Sequence, residues 1–387
     1  MALTERAERA AGHVSPPSGA PQPGGRALSP LSARAAATDG SRRRGRGFPG
    51  QEGGDVHQLL RLSDEVEQAL EEGLPVVALE TTAINHGPPY PGNLEWALAI
   101  CRAVREGGAS PALTGIADGH FVVGMSESDL ERFAATAHIP KASTRDLGLV
   151  LASGGLGATT VASSLLIAHL AGIPVLSAGG IGGVHRNASA TFDVSADLME
   201  LTRHQVAVVC AGAKSILDVG LTLEYLETLG VPVIGYRCAD FPAYHCTSSG
   251  FPNPQRVDEL TALAAAVDLH WTAGATGSVV VTSPIGAEHA LDGDRIEQAV
   301  QGAVRQAGRD GVHGAAITPY LLEAVSAATG GRSAAASRSV LISTAKLAGQ
   351  VAGAFADRQT AERGAGRAPR PGRQAGRADD VWKRVRR

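Results

Sequence analysis

Three times along this chain the same short junction recurs: Gly73-Leu74-Pro75-Val76-Val77, Gly172-Ile173-Pro174-Val175-Leu176 and Gly230-Val231-Pro232-Val233-Ile234, each after an amphipathic stretch. Glycine supplies the left-handed residue that ends a helix, proline stops the helix from continuing, and the apolar run beyond reads as a buried strand. Helix, tight turn and buried strand in alternation build an α/β fold, layered α/β/α around a central, mostly parallel or mixed sheet. The junctions are unequally spaced, which excludes a solenoid.

Periodicity predicts helices over about 57–72, 93–107, 127–135, 158–171, 195–202, 216–229, 257–267, 287–307, 319–328 and 337–357. Strands are expected near 75–80, 111–117, 148–152, 173–177, 205–210, 232–236 and 278–282. The 387 residues divide into an Arg/Gly/Pro-rich segment, 1–54, a single catalytic-sized body, 55–357, and a basic tail, 358–387. Both ends lack the apolar periodicity that offsets ordering entropy and are expected to be disordered.

Charge follows the same division. The overall net charge is -3, but the ends are basic, leaving 17 basic and 31 acidic residues for 55–357, a net of -14. An acidic body argues against specific nucleic-acid binding, whose affinity comes largely from neutralising phosphates. Four cysteines, Cys101, Cys210, Cys238 and Cys246, form neither a disulfide framework nor a CxxC pair and point to the cytoplasm. No uninterrupted apolar run approaches the ~20 residues of a membrane span, and no secretory signal is readable.

The richest stretch runs from Gln205 to Asp218, QVAVVCAGAKSILD. An apolar strand enters a turn of small residues, and Ser215-x-x-Asp218 reads as a capping box opening the next helix. Lys214 would then lie at a strand's carboxyl end beside a helix N-terminus, where open α/β sheets bind ligands and where a neutral amine is favoured for attack on a carbonyl. A solvated loop lysine is the alternative. A second strand, Val76-Val77-Ala78-Leu79, ends in Glu80. A strand-end carboxyl among apolar neighbours is a candidate general acid with a raised pKa; a loop acid or helix cap is the competing reading.

Glycine-rich turns occur at Ser153–Thr160 and Ala178–Arg186. Their amides can hold a phosphate, yet neither is a Walker loop or G-x-G-x-x-G, and tight turns explain them equally. Asp193-x-Ser195-x-Asp197 offers hard oxygen ligands for Mg²⁺ or Mn²⁺, or else a helix cap at Asp193 or Ser195. Lys141-Ala142-Ser143-Thr144-Arg145-Asp146 is either an anion grip or a surface loop with its own ion pair.

Taken in order, ALETTAINHG, KASTRDLG, GATTVA, GGIGGVHR, TFDVSADL, CAGAKSILD, LEYLETLGVPVIGY and DFPAY with SSGF resemble the pseudouridine-5'-phosphate glycosidase family, also called the indigoidine synthase A family, over roughly 57–357. The resemblance implies an enzyme, a lyase of the carbon-oxygen class with pseudouridylate synthase activity. It reversibly cleaves the C–C glycosidic bond of pseudouridine 5'-phosphate to uracil and ribose 5-phosphate in pseudouridine catabolism. It implies that Lys214 forms an imine (Schiff base) at C1' and that Glu80 supplies the proton as the ribose ring opens. Asp193 is implied as the metal ligand, with one Mn²⁺ per subunit. Lys141, Val161, Ser195, Ala196 and Asp197 are implied as substrate contacts, and the assembly as a cytoplasmic homotrimer. An imine is chemically apt, since a C–C bond to an anomeric carbon lacks a leaving heteroatom and needs an electron sink.

The chain departs from the family pattern at Thr247, Ser283, Ala315, Ala316, Ser337 and Ser343-Thr344. These departures keep two other expectations open: a lysine-dependent lyase of the same fold acting on another C-nucleoside or sugar phosphate, and a non-catalytic sugar-phosphate-binding protein.

Overall fold

The computed structural model describes residues 56–364, residue 86 excepted; the expected N-terminal segment 1–54 and the stretch 365–387 lie outside the described residues. Thirteen strands are described: β1 (Leu60–Leu62), β2 (Val76–Leu79), β3 (Ser110–Ala117), β4 (His120–Val123), β5 (Lys141–Ala142), β6 (Gly157–Thr159), β7 (Val175–Ser177), β8 (Val184–His185), β9 (Ala207–Cys210), β10 (Leu217–Asp218), β11 (Val233–Tyr236), β12 (Gln255–Val257) and β13 (Val279–Thr282). The main sheet runs β1-β4-β3-β2-β7-β9-β13-β11-β12, with β6 branching from β3 and pairing β5. From β3 through β2, β7, β9 and β13 to β11 and β12 every neighbouring pair is parallel, whereas β4 and β6 lie antiparallel to β3.

Each Gly-x-Pro junction does the expected work. Gly73, Gly172 and Gly230 adopt φ of +70, +75 and +68°, and β2, β7 and β11 begin within three residues of them. The strands are buried on both sides, and alternate residues feed opposite layers. Val76, Ala78, Leu176, Val208 and Val280 join the core that holds helices Asp64–Glu71, Val161–Leu170 and Val219–Thr228. Val77, Leu79, Val175, Val209 and Val281 join the core under helices Gly92–Glu106, Leu260–Thr272 and Arg332–Gly364. The layered α/β/α expectation therefore holds, with each fully buried Val or Leu contributing roughly 1.5–3 kcal/mol.

Several elements differ from the sequence reading. The strand expected at 148–152 is helix Leu147–Ser153: Leu147 and Val150, three apart, face the core while Leu149 is exposed, and short apolar runs do not separate strand from helix by composition. The helix expected across 57–72 divides into a 3-10 turn, Val56–Leu59, then β1, then Asp64–Glu71, because Ser63 caps the latter by accepting from the Val66 amide. The last helix extends to Gly364, past the expected boundary at 357, and Arg358 and Gln359 donate to the buried Asp268 at 2.9 and 2.7 Å. Its Arg332–Glu362 stretch is long and apolar enough to cross a membrane by composition, but more than half of its most apolar window is buried in the protein, as in a core helix.

Candidate active site

Strands β2, β7, β9 and β13 lie side by side and parallel, so the loops leaving their carboxyl ends meet at one edge of the sheet. Glu80 leaves β2, Ala178–Ile181 leave β7, Ala211–Lys214 leave β9 and Ser283 leaves β13. The β7 and β9 loops continue to pair beyond the sheet: Ala211 N–H donates to Gly179, Ile181 N–H to Gly212 and Lys214 N–H to Ile181, at 2.9, 3.0 and 3.2 Å. This ladder fixes the backbone from which Lys214 projects. Gly212, at φ +75°, passes so close to the Pro242 carbonyl that a β-carbon would overlap it, so only glycine serves there.

The Ser215-x-x-Asp218 box does not form. Asp218 is the N-cap of helix Val219–Thr228, accepting from the Leu221 amide at 2.9 Å, and β10 separates Lys214 from that helix. Ser215 instead turns its hydroxyl toward His245 Nδ1, 3.4 Å away. The cap is one turn later because Asp218 is itself a good N-cap and Leu217–Asp218 pairs with β8 first.

Glu80 is buried, with its Oε2 accepting from the Thr82 hydroxyl at 2.6 Å. Burial pushes its carboxyl above the ordinary carboxylate range; Lys214, Thr82 and Lys141 oppose this and Asp197 reinforces it. Lys141, on β5, still reaches solvent, yet the protein around it and then the charge of Lys214 lower its pKa, with Asp197 and Glu80 opposing. Four sequence candidates from four separate elements, Glu80, Lys141, Asp197 and Lys214, thus sit within electrostatic reach of one another.

Asp197 has a different bearing from a substrate contact. It is buried in helix Ala196–Glu200, and its two oxygens are taken by the Ala162 amide at 2.9 Å and the Gly182 amide at 2.8 Å. It therefore staples the N-terminus of helix Val161–Leu170 to the β7 loop. A β-carbon on Gly182 would overlap Ser195 and come within 2.8 Å of Asp197 Oδ2, so glycine there leaves room for the staple. Ser195 is the N-cap of helix Ala196–Glu200, accepting from the Asp197 amide; Asp193 caps nothing, and Ala196 is the exposed first residue of that helix. Val161 is the buried first residue of its own helix, capped by Thr160.

Asp193 is partly exposed, and its carboxylate lies 3.7 Å from His185 Nδ1. That nitrogen is buried and has no hydrogen-bond partner among the described residues. Burial lowers the His185 pKa, Asp193 opposes this, and Lys214 and Lys141 add to it, which places the pair at the margin of the same site. Among the described residues no three His, Cys, Asp or Glu side chains converge into a metal cage. What is offered is one accessible carboxylate beside an unsatisfied imidazole nitrogen. That donor set fits a hydrated Mn²⁺ or Mg²⁺ that keeps most of its waters, and does not fit a closed structural zinc site.

Other candidates resolve plainly. Arg145 pairs with its neighbour Asp146 at 3.5 Å, as the surface-loop reading expected. Arg186 is committed to Glu297 by a bidentate pair at 2.6 and 2.7 Å. The departures separate: Ser283 and Ser337 lie near the site, whereas Thr247, Ala316 and Ser343 are exposed.

Sequence reasoning missed a buried polar group behind the lysine turn. His245, between Ser215 and Ser337 Oγ at 2.9 Å, is pushed by burial down to about 4. Tyr244 is pushed by burial up to about 12, with Ser337 opposing as a hydrogen-bond partner and Glu80 adding to the rise. The ring of Tyr244 packs on the Gly179-Gly180 turn, at a left-handed φ of +57°. The contact of His245 with Ser337 spans 92 residues and carries no local signal.

Residues 65–354 match the family described as indigoidine synthase A like protein. The pseudouridine-5'-phosphate glycosidase of Dickeya dadantii is 56% identical over 301 residues, 78% of this chain and 95% of that protein. Pseudouridine-5'-phosphate glycosidase 1 of Photorhabdus laumondii is 51% identical over 76% of this chain and 92% of that one. Among solved structures, a prealnumycin C-glycosynthase in complex with ribulose 5-phosphate superposes with a TM-score of 0.75 at 46% identity, covering 79% of this chain and 99% of that one. An indigoidine synthase A-like protein from Thermotoga maritima superposes with a TM-score of 0.68 at 32% identity, over 76% and 95% of the two chains. With its parallel strand ends carrying Glu80 and Lys214 and its match spanning most of the described body, the chain belongs to the indigoidine synthase A family.

Proposed function

We propose that this chain makes and breaks the C–C glycosidic bond between uracil and ribose 5-phosphate, through an imine on Lys214. The observation that carries the proposal is the placement of Lys214 and Glu80 at the carboxyl ends of β9 and β2, one strand apart and electrostatically coupled.

In the cleavage direction Glu80, whose pKa burial raises, gives a proton to the ribose ring oxygen as the C1'–O bond breaks. The Lys214 amine bonds to C1' and passes one of its protons to the Glu80 carboxylate. Its lone pair then forms the C1'=N bond while the C1'–carbon bond breaks, that electron pair leaving on the uracil carbon, which takes the proton that Glu80 received from the amine. Water hydrolyses the imine, releasing ribose 5-phosphate and the free amine. Lys141, exposed on β5 and within electrostatic reach of Glu80 and Lys214, suits the phosphate. Asp193 would hold the divalent cation, Mn²⁺ in this reading, which supplies charge neutralisation to substrate oxygens. The four cysteines are buried and free, in keeping with a cytoplasmic enzyme.

The experiment is direct: purified protein with Mn²⁺ is given pseudouridine 5'-phosphate, and uracil and ribose 5-phosphate are followed in both directions. A second reading, formation of a C-glycoside with another aromatic partner, is favoured by the 46% identity to a C-glycosynthase together with Ser337 beside the site. It predicts capture of ribose 5-phosphate without turnover of pseudouridine 5'-phosphate.

A further inference from the structure

The backbone on either side of Glu80 is held by a buried cluster of hydroxyls. Thr114 Oγ1 donates to the Leu79 carbonyl and Thr81 Oγ1 to the Thr114 carbonyl, both at 3.0 Å. Thr81 and Thr159 exchange bonds, with the Thr159 amide donating to Thr81 Oγ1 at 2.9 Å. With Leu79 and Thr81 fixed, what remains free in Glu80 is the side chain, and there one contact decides its aim. Thr82, the first residue of the short helix Thr82–Asn85, donates its hydroxyl to Oε2 at 2.6 Å, while Oε1 has no hydrogen bond within the described residues.

We propose that Thr82 is a positioning residue that gives the two oxygens of Glu80 different tasks: its hydroxyl occupies Oε2, so the proton that Glu80 gives and takes during ring opening is carried on Oε1. This rests on the reading of Glu80 as the acid of a C-glycoside lyase. A carboxylic acid whose carbonyl oxygen already accepts a hydrogen bond carries its proton on the other oxygen, and Oε1 is the oxygen left to face the sugar. The same hydroxyl stabilises the charged form, so it limits how far burial raises the acid and keeps the proton exchangeable. The other groups acting on this carboxyl are Lys214 from the β9–β10 turn, Asp197 from helix Ala196–Glu200, Lys141 from β5 and the Tyr244 phenol; Thr82 is its hydrogen-bonding partner.

The test uses the full chain and Thr82→Val, which removes the hydroxyl and keeps the volume. Two readouts are taken. The first needs no turnover: the protonated-carboxyl infrared band of Glu80, isolated by subtracting the spectrum of Glu80→Gln, is followed against pH. Its midpoint should move upward in Thr82→Val, because a donor to the carboxylate form has been lost, and Thr82→Ser should bring it back. The second is kinetic: kcat should fall by about tenfold or more with KM little changed, and Thr82→Ser should recover it. Thr82→Ala removes the same hydroxyl and serves should the Val variant fail to fold. An unmoved or lowered midpoint, or a Ser variant that behaves like Val, overturns the proposal. If the wild-type protein does not turn over pseudouridine 5'-phosphate, the functional reading fails on its own, while the infrared titration still decides the role of Thr82.

Discussion

Replacing Asp197 by Asn should destabilise the fold by about 2–4 kcal/mol, although the two side chains have nearly the same shape. The buried carboxylate accepts from two amides at once, Ala162 on Oδ1 and Gly182 on Oδ2. An asparagine has one acceptor oxygen, so its NH₂ must face one of those N–H groups. One charge-assisted bond of roughly 1.5–3 kcal/mol is lost and a buried donor is left unpaired at roughly 1–3 kcal/mol, terms that overlap rather than add in full. Urea unfolding followed by tryptophan fluorescence and far-ultraviolet dichroism reads the change as a lower midpoint at unchanged slope. There is also a charge effect with a definite sign. Asp197 helps to hold the Glu80 carboxyl above its ordinary range, so the Asn variant should titrate Glu80 at lower pH, opposite to Thr82→Val. A variant as stable as the wild type, with Glu80 titrating unchanged, would refute the staple.

Glu80→Gln should reduce turnover at least a hundredfold, because the amide has no proton to give, while ribose 5-phosphate still binds by calorimetry. Asp193→Ala should abolish stimulation by Mn²⁺ and leave the unfolding midpoint close to that of the wild type, since the carboxylate is partly exposed and caps no helix; stimulation that persists would remove Asp193 from the metal role. Arg358→Ala should cost roughly 2 kcal/mol in urea, less than a fully buried pair because Arg358 is 29% exposed while Asp268 is fully buried and keeps Gln359.

The strand-end positions of Glu80 and Lys214 were legible because an apolar, β-branched run that stops at a polar residue has few interpretations. Their nearness was not, since it depends on β7 inserting between β2 and β9, a long-range pairing that no local pattern encodes. The β3–β4 hairpin was legible and overlooked: Asp118-Gly119, at φ +54 and +78°, is the dipeptide that tight hairpins favour. Ser215 misled for a physical reason, because Ser-x-x-Asp and Asp-x-x-Leu are both plausible caps and tertiary pairing of β10 with β8 chose between them. Asp193, Ser195 and Asp197 lie close in sequence yet serve three distinct ends, a partly exposed carboxylate beside His185, a helix cap and a backbone staple, which only their partners reveal. Thr82 was hidden because a threonine two residues after an acid has no distinguishing pattern until its hydroxyl is seen on the carboxyl.

The measurement that bears most directly on the central claim is borohydride reduction of the full chain in the presence of ribose 5-phosphate, read by intact mass and peptide mapping. The account predicts one stable adduct, located on Lys214, and none in Lys214→Arg, whose guanidinium keeps the charge but stays protonated and cannot attack a carbonyl. An adduct on another lysine, or normal turnover of pseudouridine 5'-phosphate by Lys214→Arg, would contradict it.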